Sequence, residues 1–212
     1  MKYTTGLQWL AMLTMLADHI GAVFFPDDLA WRMVGRIAFP IYAYGIARGL
    51  DVTRDRRAYL KRLAVLAAIS QIPYMLALDA LKFNVIFSFF LIAWVFVQSE
   101  RLQGKSGKVL AVLAAAFILE MFRFDYGAYG LLLILIYRHA AGWKVIAYHA
   151  ILNIAAVAFY GPVWLIQLFS ILPTIIMSWK KENSRIMRPP VWLWRSFYPA
   201  HLSIIIVFRL IF

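Results

Sequence analysis

Residues 3–25 read YTTGLQWLAMLTMLADHIGAVFF, an apolar run of membrane length that carries Asp18 and His19 side by side. About 20 apolar residues cross the roughly 30 Å hydrocarbon core of a bilayer as an α-helix. An ionisable side chain inside such a helix costs about 3 kcal/mol or more unless it is paired or faces a wet cavity. Asp18 and His19 are therefore candidates for function. Only Lys2 precedes the run, and no small-residue cleavage site lies near its end, so it is expected to stay in place as the first helix.

The pattern repeats outward from this stretch. With 64% hydrophobic and only 15% charged residues among 212, the composition is that of an integral membrane protein rather than a soluble globule. The expected fold is all-α, a polytopic transmembrane bundle occupying 1–212 as one integral membrane domain, with about nine spans. They are read at about 3–25, 31–50, 58–78, 84–101, 107–123, 126–141, 143–160, 162–179 and 196–212. The breaks carry turn residues: Pro26-Asp27-Asp28, Gly104-Lys105-Ser106-Gly107, Gly142, Gly161-Pro162 and Pro189-Pro190. There is no cysteine, which excludes disulfides, thiolate nucleophiles and cysteine metal sites.

In a soluble protein a net charge of +12 would suggest nucleic acid. Here the charge reads as topology. Lys2, the Arg48–Arg62 run, Arg101, Lys105, Lys108, Arg138, Lys144, Lys180, Lys181, Arg185, Arg188 and Arg195 fall on one side of the expected spans. Only Arg32, Arg36, Lys82, Arg123 and Arg209 fall on the other. The positive-inside rule makes the first side cytoplasmic, giving an N-in, C-out chain with an odd number of spans and no nucleic-acid partner.

That topology assigns depths. Asp18 and His19 lie in the outer half of the first helix, and Arg36, five residues past Trp31 on a helix running back, lies at a comparable depth. The three can meet. The ring of Pro40 collides with the carbonyl of Arg36 and loosens the second helix there. Ser70, Gln71 and Pro73 are expected to interrupt the third helix, and Asn84 opens the fourth. Glu120 and Arg123, three apart, can pair on one face. His149 and Asn153, four apart, point the same way. His201 is expected in the inner half of the last helix. No internal repeat is visible, which weakens a transporter built from inverted halves.

Beside one another, Asp18 and His19 read as a base or nucleophile with a carboxylate in support, or as one end of a buried ion pair with Arg36 that holds two helices together. Arg54, Arg56, Arg57, Lys61 and Arg62 read as a phosphate-binding surface or as anchors on anionic membrane lipids. Gln71, Asn84, Glu120, Arg123, His149 and Asn153 are candidate supporting or substrate-binding residues. The histidine spacing matches no dense ligand pattern, so no metal is expected.

Several segments together resemble the TraX family of bacterial inner-membrane proteins, which belong with the multi-spanning acyltransferases. They are Leu16-Ala17-Asp18-His19-Ile20-Gly21; Gly35-Arg36-Ile37-Ala38-Phe39-Pro40-Ile41-Tyr42-Ala43 with Gly49 and Thr53 beyond; Tyr59-Leu60-Lys61-Arg62-Leu63; Ser70-Gln71-Ile72-Pro73; Asn84 with Phe87; and Phe197-Tyr198-Pro199-Ala200-His201-Leu202. The resemblance implies a multi-pass protein of the bacterial inner membrane that transfers acetyl groups, since the family's namesake is needed for N-terminal acetylation of a conjugative pilin with acetyl-coenzyme A as donor. Carried onto this chain, Asp18, His19, Arg36 and His201 are the catalytic positions, and the basic loops would hold the coenzyme. The acceptor stays open: a peptide N-terminus, a sugar or a small molecule, as does assembly into a homo-oligomer. The competing expectation is a proton-coupled small-molecule or lipid transporter with Asp18 and His19 as relay, and a third is a purely structural assembly partner.

Overall fold

The computed structural model describes residues 5–179 and 189–211. Lys2, Lys180, Lys181, Arg185 and Arg188 of the basic side lie outside the described residues. Within them the chain is all-α: α1 (Thr5–Phe24), α2 (Leu29–Gly35), α3 (Ala38–Val52), α4 (Arg56–Leu78), α5 (Val85–Ser99), α6 (Lys105–Met121), α7 (Gly127–His139), α8 (Trp143–Tyr160), a 3-10 helix (Pro162–Ser170), α9 (Ile171–Trp179) and α10 (Val191–Ile211).

Local chemistry sets the ends. The Asp28 side chain accepts from the Ala30 N–H at 2.9 Å, that of Asp55 from Ala58 at 2.9 Å, and that of Asn84 from Ile86 and Phe87, so α2, α4 and α5 each begin on a side-chain cap. Pro73 leaves one carbonyl of α4 without its helical donor, yet the helix runs on from Arg56 to Leu78. The interruption expected at Ser70-Gln71-Pro73 is absent because neighbouring turns keep their bonds.

Two expected spans differ in a way that matters. The span read at 31–50 is two helices, broken at Arg36 and Ile37. Pro40 cannot donate to the Arg36 carbonyl, and the Arg36 and Ile37 N–H groups tighten onto Met33 and Val34, three residues back. The span read at 162–179 opens with nine residues of 3-10 helix before α9. Side chains three apart eclipse in that geometry, which stacks Trp164, Gln167 and Ser170 on one face.

The core sits around α3. Ile41, Ala43, Tyr44, Ala47 and Leu50 of α3 pack with Ile92, Ala93 and Phe96 of α5 and Leu131, Leu133 and Ile134 of α7, all buried. A second cluster joins Met15 of α1, Ala67, Tyr74 and Ala77 of α4, and Tyr198, Leu202 and Ile205 of α10. The perimeter is apolar as well: Ile69 and Ile72, Leu110 and Leu113, Ile151 and Ile154, and Ile204 and Val207 are all exposed. Each such side chain would cost about 1.5–3 kcal/mol to leave in water, whereas lipid is as apolar as they are. Among the described residues, five helices are long and apolar enough to cross a membrane, Gly6–Phe24, Arg56–Leu78, Trp143–Tyr160, Pro162–Trp179 and Val191–Ile211, and α5 is a shorter apolar helix. The chain is a membrane-type helical bundle.

Its two ends differ. At one, Arg56 pairs with Glu100, and Arg138 reaches Glu100 at 3.3 Å and Asp51 at 3.5 Å, tying together the ends of α3, α4, α5 and α7. This is the basic end. At the opposite end Lys82 pairs with Asp125 at 3.0 Å and Arg209 with Asp79 at 2.6 Å.

Candidate active site

The opposite half of the bundle holds the charges that the first helix carries. Asp18 Oδ1 accepts from Arg36 at 2.9 Å and from Arg32 at 3.0 Å, and Arg32 also donates to the Asp18 backbone carbonyl at 3.2 Å. Asp18 and Arg36 are 13% and 11% exposed; without Asp18 the Arg36 guanidinium would be left buried and unpaired, whereas without Arg36 the Asp18 carboxylate would keep Arg32. Glycine makes the approach possible. A Cβ on Gly35 would coincide with the Asp18 carboxylate, and one on Gly21 with the Trp31 side chain, so α1 and α2 can lie this close only with glycine at both positions.

His19 points elsewhere, toward α10. Its Nδ1 lies 2.7 Å from His201 Nε2, with the two rings nearly parallel. His201 was expected nearer the cytoplasmic side than His19. Helix α10 begins at Val191 rather than near 196, which puts His201 mid-helix and level with His19.

Hydrogen bonding assigns the protons. His201 Nδ1 lies 2.5 Å from the Phe197 carbonyl, which can only accept, so that nitrogen carries a proton and Nε2 is an acceptor. His19 Nδ1 must then be the donor between the rings. The lone pair of His19 is left on Nε2, for which no described residue is a partner.

His19 borders a cavity of about 350 Å³. Asp18, Arg32, Arg36, Lys82, Asp125 and Gln167 supply its polar wall, and Tyr74, Tyr126 and Trp164 its aromatic one. A second space, a groove of about 710 Å³, runs between α4 and α10 toward the basic end. Lys61, Arg62 and Arg195 stand on its rim over apolar walls that include Leu66, Ile86 and Phe89. Tyr198 belongs to the groove and meets both imidazoles edge-on, at 6.0 and 5.7 Å between centroids. Its hydroxyl is buried, and no described group accepts its proton.

The basic candidates divide. Lys61 and Arg62 line the groove; Arg56 and Arg57 line a separate recess of about 440 Å³ beside Trp94 and Gln98, where Arg56 is held by Glu100; Arg54 is exposed in the α3–α4 link. At the end of Glu100, burial works to raise its carboxyl, and Arg56 and Arg138 outweigh that and hold it below the usual range.

Other candidates are placed apart from the histidine pair. Asn84 donates to the Ala67 carbonyl at 2.8 Å and to Gln71 at 2.9 Å, so its amide joins α4 to α5. Glu120 accepts from Ala128 N–H at 2.7 Å and Tyr160 at 2.6 Å. It makes no ion pair with Arg123 among the described residues, because α6 ends at Met121 and Arg123 sits in a turn at φ +53°, off the helical face. His149 and Asn153 do share a face, and both are fully buried in a network. His149 lies 3.0 Å from the Tyr129 hydroxyl and 2.8 Å from that of Thr174, and Asn153 accepts from Tyr129 at 2.8 Å. Gln167 donates to Tyr129 at 3.1 Å, and its carbonyl faces Arg36 at 3.5 Å, linking this network to the ion cluster. Among the described residues no three His, Cys, Asp or Glu side chains gather closely enough to hold a metal.

Against known families, residues 4–209 match the model described as TraX protein. The chain belongs to the TraX family. A relative in Dichelobacter nodosus, named probable fimbrial assembly protein FimC, serogroup H1, is 24% identical over 238 residues, covering 94% of this chain and 92% of the relative. No solved structure matches the chain. Arg32, Lys82, Asp125, Gln167 and Tyr198 join the site without having been singled out in the sequence. Arg32 carried a signal, since it sits four residues before Arg36 and so on the same helical face, and Tyr198 stands in the Phe197–Leu202 segment that carries the family resemblance.

Proposed function

We propose that this TraX protein is an acetyl-coenzyme-A-dependent acetyltransferase of the bacterial inner membrane, N-in and C-out, with its basic end in the cytoplasm. It would pass the acetyl group to an amine or hydroxyl acceptor in the outer half of the bilayer. The observation that carries this reading is the His19–His201 pair, placed between a groove with a cationic rim and a polar cavity, with its free lone pair on the His19 that borders the cavity. The fimbrial role named for the Dichelobacter relative supports an acceptor on the outer side, because surface appendages are assembled beyond the membrane.

In this reading Lys61, Arg62 and Arg195 hold the coenzyme phosphates, and the thioester arm lies along the apolar groove toward Tyr198. The acceptor enters the polar cavity. His19 Nε2 takes its proton as the new bond to the acetyl carbon forms. The carbon–sulfur bond then breaks, and the thiolate takes up that proton to leave as free coenzyme. Phe197 and His201 hold His19 in the required tautomer and share the charge it gains. Tyr198 offers its unspent O–H to the oxyanion, a role that Asn84, bound to Ala67 and Gln71, is not free to take.

The test is purified protein in proteoliposomes with radiolabelled acetyl-coenzyme A, following free coenzyme and transferred label for wild type, His19→Ala and His201→Ala. Coenzyme release that needs His19, in variants that remain folded, is the expected result. Flux of a proton or small molecule without use of the thioester would instead establish the relay reading of Asp18 and His19.

A further inference from the structure

The charges of the polar cavity define what can enter it. Three cations, Arg32, Arg36 and Lys82, face two carboxylates, Asp18 and Asp125. Both carboxylates are taken: Asp18 by the two arginines at 3.0 and 2.9 Å, and Asp125 by Lys82 at 3.0 Å. Two guanidinium groups on a single carboxylate leave one positive charge uncompensated. Arg36 is the less able to serve a ligand, being 11% exposed and also bonded to the Arg32 carbonyl at 3.2 Å. Arg32 is 30% exposed, and its described bonds all run through Nη1, to Asp18 Oδ1 and the Asp18 carbonyl. Its Nε and Nη2 donors are unspent among the described residues.

We infer that the cavity binds an acceptor carrying a carboxylate or phosphate, docked on Arg32, with a hydroxyl on the same small unit presented to His19. The inference rests on the acetyltransferase reading for the role of that hydroxyl and on the cavity alone for the anion. An ammonium entering here meets three cations against two carboxylates that are already ion-paired, at short range in a low-dielectric site. An anion restores neutrality and finds the planar fork of donors that suits it. Arg32 also lies on the same cavity as the imidazole. Its Nη1 holds the backbone carbonyl of Asp18, the residue before His19, and both Arg32 and His19 border the cavity, so one small ligand can meet both. Hydroxyl-bearing acids such as uronic acids or sugar phosphates have this form.

The experiment compares four probes of one shape, glucose, glucosamine, glucuronate and glucose 6-phosphate, by the concentration that protects the purified protein from thermal unfolding. Coenzyme release is measured on the same preparations. One charge-assisted contact predicts that the better anion protects at concentrations at least about tenfold below glucose, with glucosamine weaker still. Arg32→Gln should erase that gap and Arg32→Lys should keep most of it. The order of glucuronate and glucose 6-phosphate distinguishes carboxylate from phosphate. Equal protection by glucose, preference for glucosamine, or no protection by either anion overturns the inference. Anion preference without coenzyme turnover would sink the acetyltransferase reading and leave the anion site standing; turnover without preference would do the reverse.

Discussion

The Asp18 cluster makes an asymmetric prediction about stability. Removing one partner of a buried ion pair costs about 3–5 kcal/mol, because the other is left charged and unsolvated. Asp18→Asn does this to Arg36, which is 11% exposed and whose remaining described acceptors are the Arg32 carbonyl and, at 3.5 Å, Gln167. The amide oxygen of asparagine can still accept one bond, so the expected loss is about 3 kcal/mol. Arg36→Gln is different, since Asp18 keeps Arg32 at 3.0 Å and needs no new counter-charge. Its expected cost is about 1–2 kcal/mol, chiefly the lost hydrogen bonds. In the double variant no unpaired buried charge remains except the more exposed Arg32, so its cost should fall short of the sum by more than about 1 kcal/mol. The assay is reversible unfolding of the purified protein in detergent micelles, with helix content checked for each variant. Equal losses for the two single variants, or additivity within about 0.5 kcal/mol, would refute the claim that Asp18 is the shared centre of two arginines.

Tyr198→Phe should change stability little, since no described group accepts the proton of its buried hydroxyl, while coenzyme release falls by about 10²–10³-fold if that O–H serves the oxyanion; a full-rate variant removes Tyr198 from the chemistry. His201→Gln should lower turnover by about 10–100-fold and shift its pH profile, because it acts by holding the tautomer and charge of His19; an unmoved profile would reduce His201 to packing. At the basic end, burial works to raise Glu100 and is outweighed by Arg56 and Arg138, so its carboxyl sits below the reference 4.5 in the folded protein. Its contribution to stability is then complete above that value and is lost as the pH falls through the lower folded one. Thermal stability measured across pH 3 to 6 should decline less steeply in Glu100→Gln than in wild type, by roughly the share of one carboxylate; equal slopes would discard the Glu100 pairing.

Periodicity and length made the helices legible, because lipid demands long apolar helices and tolerates little else. The meeting of Asp18 with Arg36 was legible for a related reason, since two adjacent antiparallel helices convert sequence offset directly into depth. The contact of His19 with His201 was not, because it joins the first helix to the last, and the start of α10 decides the level of His201. The 3-10 geometry of Pro162–Ser170 was equally hidden: its composition is simply apolar, and only the packing of Gln167 and Ser170 against Tyr129 shows what the altered period is for. Glu120 and Arg123 mislead for a converse reason, as spacing of three implies a pair only while the helix continues.

The irregular backbone and the polar cavity are one construction. Inside a membrane, backbone groups released from a helix are tolerated where they are buried in protein or line a cavity. Pro40 releases the Arg36 carbonyl at the α2–α3 break, and that break lets Arg36 fold its Nε back onto the Arg32 carbonyl while its Nη2 reaches Asp18. The 3-10 turn turns Gln167 toward the same arginine from the opposite wall. Gly35 removes the side chain that would occupy the place of the Asp18 carboxylate. Each device is costly for a bundle that only has to span lipid, and each converges on the space beside His19. At the break at Arg36 a histidine pair, two arginines on one carboxylate and a polar cavity come together inside a bundle whose perimeter is apolar.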